Sequence, residues 1–195
     1  MKRNQSIVAA SLGSVALVAV FTLSGGGAAY ASPPSPDGTA APLQSCWIDA
    51  STQQSLCVPT GEDLIAAVQE EDGITIDVPA GTNVSDVKIT DAHILAATTF
   101  SVTASVSVEP VSIIYDDINY GGGSFIMSSG AGCTAGLPSL VPYGWNDRAS
   151  SFKSYSGCLT ALYVNINYGG SHVGYSSSKA SFGSLNDTGS SWHTE

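Results

Sequence analysis

The sequence predicts an all-β fold for its C-terminal half, a double Greek-key β-sandwich, preceded by a small acidic α+β segment. Two short motifs recur there in the same order between Val111 and Glu195, which chance rarely delivers. That half is also rich in Gly, Ser, Tyr and Asn, a composition that suits short strands joined by tight turns. Eleven of the sixteen acids lie before Val111, so the charge belongs mostly to the other half.

The first residues read as a leader. Lys2 and Arg3 precede an apolar or small-residue run from Ile7 to Leu23, and Ala29-Tyr30-Ala31 has the A-x-A form of a cleavage site. Residues 1–31 are expected to be a secretory signal peptide and the protein to be secreted. The run of 17 residues is short for a membrane span, which needs about 20. From Ser32 onward, four bases (Lys88, Arg148, Lys153, Lys179) face sixteen acids, a net charge of −12. Such a surface repels phosphate backbones and anionic lipid, so neither nucleic acid nor, after signal removal, membrane is an expected partner. Four cysteines in an exported chain read as two disulfides, with three possible pairings. No C-x-x-C or Cys/His cluster suggests zinc.

Residues 32–44 hold Pro33, Pro34, Pro36 and Pro42 among small residues and read as an extended linker. An acidic segment of unassigned role, 45–110, follows. A Cys46–Cys57 bridge would close a small hairpin-like loop. Thr60 is placed to cap a helix carrying Leu64, Ile65 and Val68, and Gly73 to end it. Ile74, Ile76 and Val78 alternate as a strand. Val84 to Thr90 predicts another, and Phe100 to Val108 a strand or extended connector. Glu70, Glu71 and Asp72 read as a solvated helix end.

From Val111 the chain repeats itself. Ile114-Tyr115-Asp116-Asp117-Ile118-Asn119-Tyr120-Gly121-Gly122 matches Leu162-Tyr163-Val164-Asn165-Ile166-Asn167-Tyr168-Gly169-Gly170. Trp145-Asn146-Asp147-Arg148-Ala149-Ser150-Ser151 matches Leu185-Asn186-Asp187-Thr188-Gly189-Ser190-Ser191. Each unit reads as a four-strand Greek key that needs a partner to cover its apolar face, and two units can cover each other. Gly122 and Gly170 fall where a hairpin folds over, with the paired tyrosines packing on the fold. Extra length in the first unit surrounds Cys133, which a bridge to Cys158 would tie to the second. The Asn-Asp-x-x-Ser-Ser stretch offers a carboxylate, turn carbonyls and a hydroxyl. These are the hard oxygen donors that calcium prefers.

With both motifs present twice and unbroken, Val111 to Glu195 resembles the βγ-crystallin family, which includes lens crystallins and many secreted microbial calcium-binding proteins. The resemblance implies two Ca²⁺ sites that cross-connect the repeats. One would use the carbonyls of Ile118 and Arg148, the Ser150 hydroxyl and the Asp187 carboxylate. The other would use the carbonyls of Ile166 and Thr188, the Ser190 hydroxyl and the Asp147 carboxylate. One carboxylate per site implies modest affinity, with Arg148 placing a positive charge near its own.

The resemblance implies a calcium-stabilised exported module as the leading function. The alternative is an inhibitor of an extracellular (metallo)protease, because small secreted microbial inhibitors share this fold with two disulfides; the insertion Ser128 to Pro142 would be its inhibitory loop. An enzyme is not expected. His93, His172 and His193 are scattered, no Gly-x-Ser-x-Gly elbow is present, and Asp116 and Asp117 are neighbours that a strand would point to opposite faces.

Overall fold

A computed structural model of the chain describes residues 43–89 and 106–195. Residues 1–42 and 90–105 lie outside the described residues, and with them the expected signal peptide, most of the expected linker and most of the strand or connector expected from Phe100 to Val108. The strands in chain order begin with β1 (Gln44–Asp49) and β2 (Ser55–Pro59), followed by α1 (Leu64–Asp72) and β3 (Ile74–Ile76). Next come β4 (Asn83–Val84), β5 (Val87–Lys88) and β6 (Val106–Val108). The first repeat supplies β7 (Pro110–Tyr115), β8 (Ser124–Ser128), β9 (Gly136–Leu137) and β10 (Ser151–Ser154). The second supplies β11 (Thr160–Asn165), β12 (Gly169–Ser176), β13 (Ser178–Lys179) and β14 (Ser191–Thr194).

Two sheets form the sandwich, a six-stranded one ordered β13-β10-β7-β8-β1-β2 and a four-stranded one ordered β12-β11-β14-β9. The third strand of each repeat crosses to the other repeat's sheet: β9 joins β14, and β13 joins β10. This exchange is the Greek-key connection, and it makes each sheet depend on both repeats. The inner faces interdigitate around Ile114, Phe125, Phe152, Leu162, Val173 and Trp192. Phe125 packs edge-on against Trp192 at 5.5 Å between centroids, a favoured aromatic geometry.

The acidic segment completes this sandwich instead of standing apart from it. Gln44, expected to end the linker, opens β1, which lies parallel to β8 in register Cys46↔Phe125 and Trp47↔Ile126. The Cys46–Cys57 bridge joins β1 to its antiparallel neighbour β2, and Cys133–Cys158 ties the insertion to the second repeat, as expected. Above the outer face of the six-stranded sheet sits a second core. Trp47, Ile113, Tyr115 and Ile126 from the sheet meet Leu64, Ile65 and Val68 of α1 and Val78, Val84 and Ile89 beyond it. Burying apolar side chains on both faces is what a sheet gains from such a cover.

Three local readings need correction. The N-cap of α1 is Asp63, whose carboxylate accepts from the Ala66 N–H at 3.0 Å, and not Thr60. Thr60 lies three residues earlier, with its hydroxyl 3.5 Å from that of Ser45. Gly73 does end the helix in the left-handed conformation, its N–H donating to Gln69 O. Val84 to Ile89 is not one strand, because Ser85 and Asp86 take positive φ (54° and 63°) and fold it into the β4–β5 hairpin. The strand expected from Ile74 to Val78 stops at Ile76 and pairs in parallel with β6.

Candidate functional site: the crossed loops of the two repeats

Each repeat carries the same bracket. After β7, Asn119 and Tyr120 adopt left-handed conformations, and after β11 Asn167 and Tyr168 do the same. The chain then turns at Gly122 (φ 71°) and Gly170 (φ 75°). A Cβ on Gly122 would lie 2.9 Å from Asp117 Oδ2, and one on Gly170 would lie 2.7 Å from Val164 Cγ2. Only glycine fits there. The paired tyrosines meet edge-to-face over the turn, Tyr115 with Tyr120 and Tyr163 with Tyr168, both at 5.8 Å.

The last serine of each Asn-Asp-x-x-Ser-Ser stretch clamps that turn, a role sequence reasoning missed. Ser151 Oγ donates to Asp117 O at 2.6 Å and accepts from the Tyr120 N–H at 3.0 Å. Ser191 Oγ does the same with Asn165 O (2.6 Å) and the Tyr168 N–H (3.0 Å). The matching position in both motifs was the available signal: a hydroxyl can donate and accept at once.

The loops also cross between repeats. The Asp147 N–H donates to Gly189 O (2.9 Å), and the Asp187 N–H donates to Ala149 O (3.1 Å). Both aspartates have positive φ, 56° and 55°. This turns each into the other repeat's loop. The side chains then differ. Ser150 Oγ donates to Asp187 Oδ1 at 2.7 Å, so one predicted pair is in contact across the repeats. Asp147 instead takes a hydrogen bond on Oδ2 from Asn146 Nδ2 at 2.6 Å, and Ser190 is buried with no hydrogen bond to it among the described residues. The Arg148 and Thr188 carbonyls accept no hydrogen bond among the described residues. Ile118 and Ile166 follow the strand ends with about half of each side chain exposed.

These donors fit a hard cation. One crossing brings a carboxylate and a hydroxyl together beside turn carbonyls, and the other carries the same donor types without that contact; all are oxygens. Among the described residues no group of three or more His, Cys, Asp or Glu suits a metal. Any cation here would therefore rely mainly on neutral oxygens.

The Arg148 side chain does not point its charge into the loop. It grips Asp116, Nε to Oδ1 at 2.9 Å and Nη2 to Oδ2 at 2.7 Å, and lies over the Trp145 ring at 4.2 Å. Nη1 also donates to Gly144 O and Nη2 to Gln44 O, tying the start of β1 to the first repeat. Burial holds the Asp116 carboxyl above its ordinary range despite the guanidinium beside it. Of the other singled-out residues, Asp117 offers its carbonyl to Ser151, and His172 is exposed and stacked on Tyr163. His93 lies outside the described residues. Within the insertion Ser128, Ala135, Leu137 and Leu140 are buried, while Thr134, Pro138, Pro142 and the run Gly130, Ala131 and Gly132 are exposed.

A family model described as peptidase inhibitor family I36 matches residues 114–175. Among solved structures, a double mutant of a βγ-crystallin domain from Clostridium beijerinckii is 31% identical, covering 43% of this chain and 93% of that one, with a TM-score of 0.36. A βγ-crystallin domain from Flavobacterium johnsoniae is 27% identical, covering 44% and 93%, with a TM-score of 0.35. A clostrillin double mutant solved in complex with nickel is 26% identical, covering 43% and 94%, with a TM-score of 0.36. No curated protein matches. At 31% identity over nearly the whole of the first domain, with both motifs intact twice, the C-terminal part of the chain belongs to the βγ-crystallin family.

Proposed function

We propose that this protein is an exported module whose two repeats are held together by two Ca²⁺ ions. The observation that carries the reading is the contact of Ser150 Oγ with Asp187 Oδ1 at 2.7 Å, a hydroxyl from one repeat against a carboxylate from the other. Asp187, Ser150 and the carbonyls of Ile118 and Arg148 would hold one ion. Asp147, Ser190 and the carbonyls of Ile166 and Thr188 would hold the other. A bound cation supplies positive charge where the crossing loops bring their oxygens together. Ligands drawn from both repeats make binding a brace on the folded state. At a free concentration 100 times Kd, one such site adds about 2.7 kcal/mol. The test is calorimetric titration with calcium of the wild type and of the double variant Asp147→Ala/Asp187→Ala. The wild type is expected to take up two ions and the double variant none; equal uptake by both overturns the reading.

The inhibitor family model favours a second reading, inhibition of a secreted peptidase. The element offered to a protease is the tip at Gly130 to Gly132, followed directly by the Cys133–Cys158 bridge. A short loop anchored by a disulfide loses less freedom on docking than an untethered one. Titration against a panel of secreted metallo- and serine peptidases tests it. Unchanged hydrolysis throughout removes this reading and leaves the calcium reading standing. Two disulfides agree with an oxidising compartment, and we place the protein outside the cell.

A further inference from the structure

We propose that the outer face of the four-stranded sheet is a binding surface for a neutral polysaccharide. Tyr163, Tyr168, His172, Tyr175 and His193 gather on this face. His172 of β12 stacks on Tyr163 of β11 at 5.1 Å, and Tyr168 packs against His193 of β14 at 5.3 Å. Tyr168 reaches on to β9, its hydroxyl 2.7 Å from where a Cβ on Gly136 would sit. Glycine at that position is what lets the ring lie across the strand. The rings thus run over all four strands, three steps of about 4.8 Å each. That breadth can seat a short run of sugar rings.

The chemistry of the face selects the ligand. In a chain with a formal charge of −10, the strands β9, β11, β12 and β14 contain no Asp, Glu, Lys or Arg. An anionic polymer finds no fixed cation within these strands and meets the Glu195 carboxylate just beyond β14, within electrostatic reach of Tyr175. A protein partner wants an apolar centre from which water is excluded, and this face offers tyrosine and histidine in place of large aliphatic groups. A neutral sugar fits both features: its C–H faces lie on aromatic rings, and its hydroxyls exchange hydrogen bonds with phenol and imidazole tips. Part of that polar chemistry is already oriented, since Tyr175 Oη and His193 Nδ1 are 2.7 Å apart and Tyr163 Oη donates to Tyr175 Oη at 3.4 Å. The Tyr168 hydroxyl has no hydrogen-bond partner among the described residues and is free for a ligand.

Affinity electrophoresis of the full mature chain tests this, with gels containing soluble β-glucan, xylan or dextran and an alginate gel as the anionic control; sedimentation on cellulose and chitin covers insoluble chains. At least one neutral polysaccharide is expected to retard the protein. Tyr168→Ala and His172→Ala should each weaken that retardation about tenfold, while Lys153→Ala, at the position in the first repeat equivalent to His193, leaves it unchanged. Both ring positions are exposed, so loss of folding does not mimic the effect, and an unchanged melting temperature verifies it. Failure of every neutral polysaccharide overturns the proposal. So does retardation by alginate alone, or equal binding by both variants. A concentration-dependent dimer broken by Tyr168→Ala would give the face to a second copy and also overturn it.

Discussion

Tyr115 and Tyr163 occupy the same position in the two repeats, yet the first is fully buried and the second partly exposed. The difference lies in what covers them. In the first repeat, β1 and β2 extend the sheet beyond β8 and α1 lies over its outer face. Polar links finish the cover: the Ser85 N–H donates to Ser124 Oγ (2.8 Å), the Ser124 N–H to Ser45 Oγ (3.1 Å), and Asn83 Nδ2 to Tyr120 O (3.0 Å). In the second repeat β12 is an eight-residue sheet edge, and nothing among the described residues lies over its face. The outward positions have diverged to suit. Ile113, Ser124 and Ile126 are answered by Ala161, His172 and Gly174, and Lys153, which lies 4.4 Å over the Tyr120 ring, by His193. One backbone plan therefore supports a buried face and a wet one, and the outward side chains alone report which is which.

The largest effect that would break this comparison comes from removing the cover's anchor. Trp47 is fully buried and donates through Nε1 to Ser128 Oγ at 3.2 Å. Trp47→Ala should cost about 3–5 kcal/mol in urea unfolding, where Tyr168→Ala on the open face costs less than about 1 kcal/mol. Next comes the ion pair that only the first repeat has. Arg148→Ala leaves the partly buried Asp116 without its cation and frees the start of β1, a loss of about 1.5–3 kcal/mol. Thr188→Ala, at the matching position, should stay within about 1 kcal/mol.

Calcium should expose a subtler asymmetry. The Ser150–Asp187 contact is already made, whereas Asp147 must leave Asn146 first. Titration of Asp187→Ala is expected to lose the tighter step and Asp147→Ala the weaker one. The reverse order would show that the hydrogen bond to Asn146 does not hinder binding. The smallest effect is in pH. The folded pKa of Asp116 is raised by burial, so between its unfolded and folded values the native state holds more protons than the unfolded chain. Its contribution to stability therefore falls as pH rises through that window. Replacing it by Asn should flatten that part of the urea midpoint curve, measured from about pH 3 to pH 6.

Much of this was legible in the residues. The duplicated tyrosine–glycine motif gave the repeats, because a left-handed turn leaves a fixed glycine signature at Gly122 and Gly170. The disulfides followed from local spacing for Cys46–Cys57 and from the insertion for Cys133–Cys158. What stayed hidden was non-local. Nothing in Gln44–Asp49 announces that it will lie parallel to Ser124–Ser128, since strand pairing across such a distance leaves no periodicity. The grip of Arg148 on Asp116 was equally invisible: 32 residues separate them, and the motif marks Arg148 only as a carbonyl. At the helix start the sequence pointed to Thr60, but Thr60 is held beside Ser45 and Asp63, three residues on, caps the helix. Ser150 and Asp187 are hydrogen-bonded across the repeats, while Asp147 shares the backbone crossing with the second repeat and its carboxylate bonds Asn146.

The parallel pairing of β1 with β8 sets an order of events during synthesis. Residues 44–59 can close their own hairpin through Cys46–Cys57, but Trp47 and Ser128 are 81 residues apart in the chain. Until the ribosome has delivered β8, one side of β1 is a bare strand edge beside an uncovered indole, the kind of surface that aggregates. Chains truncated before Ser128 should therefore precipitate, whereas intact chains fold late and nearly all at once.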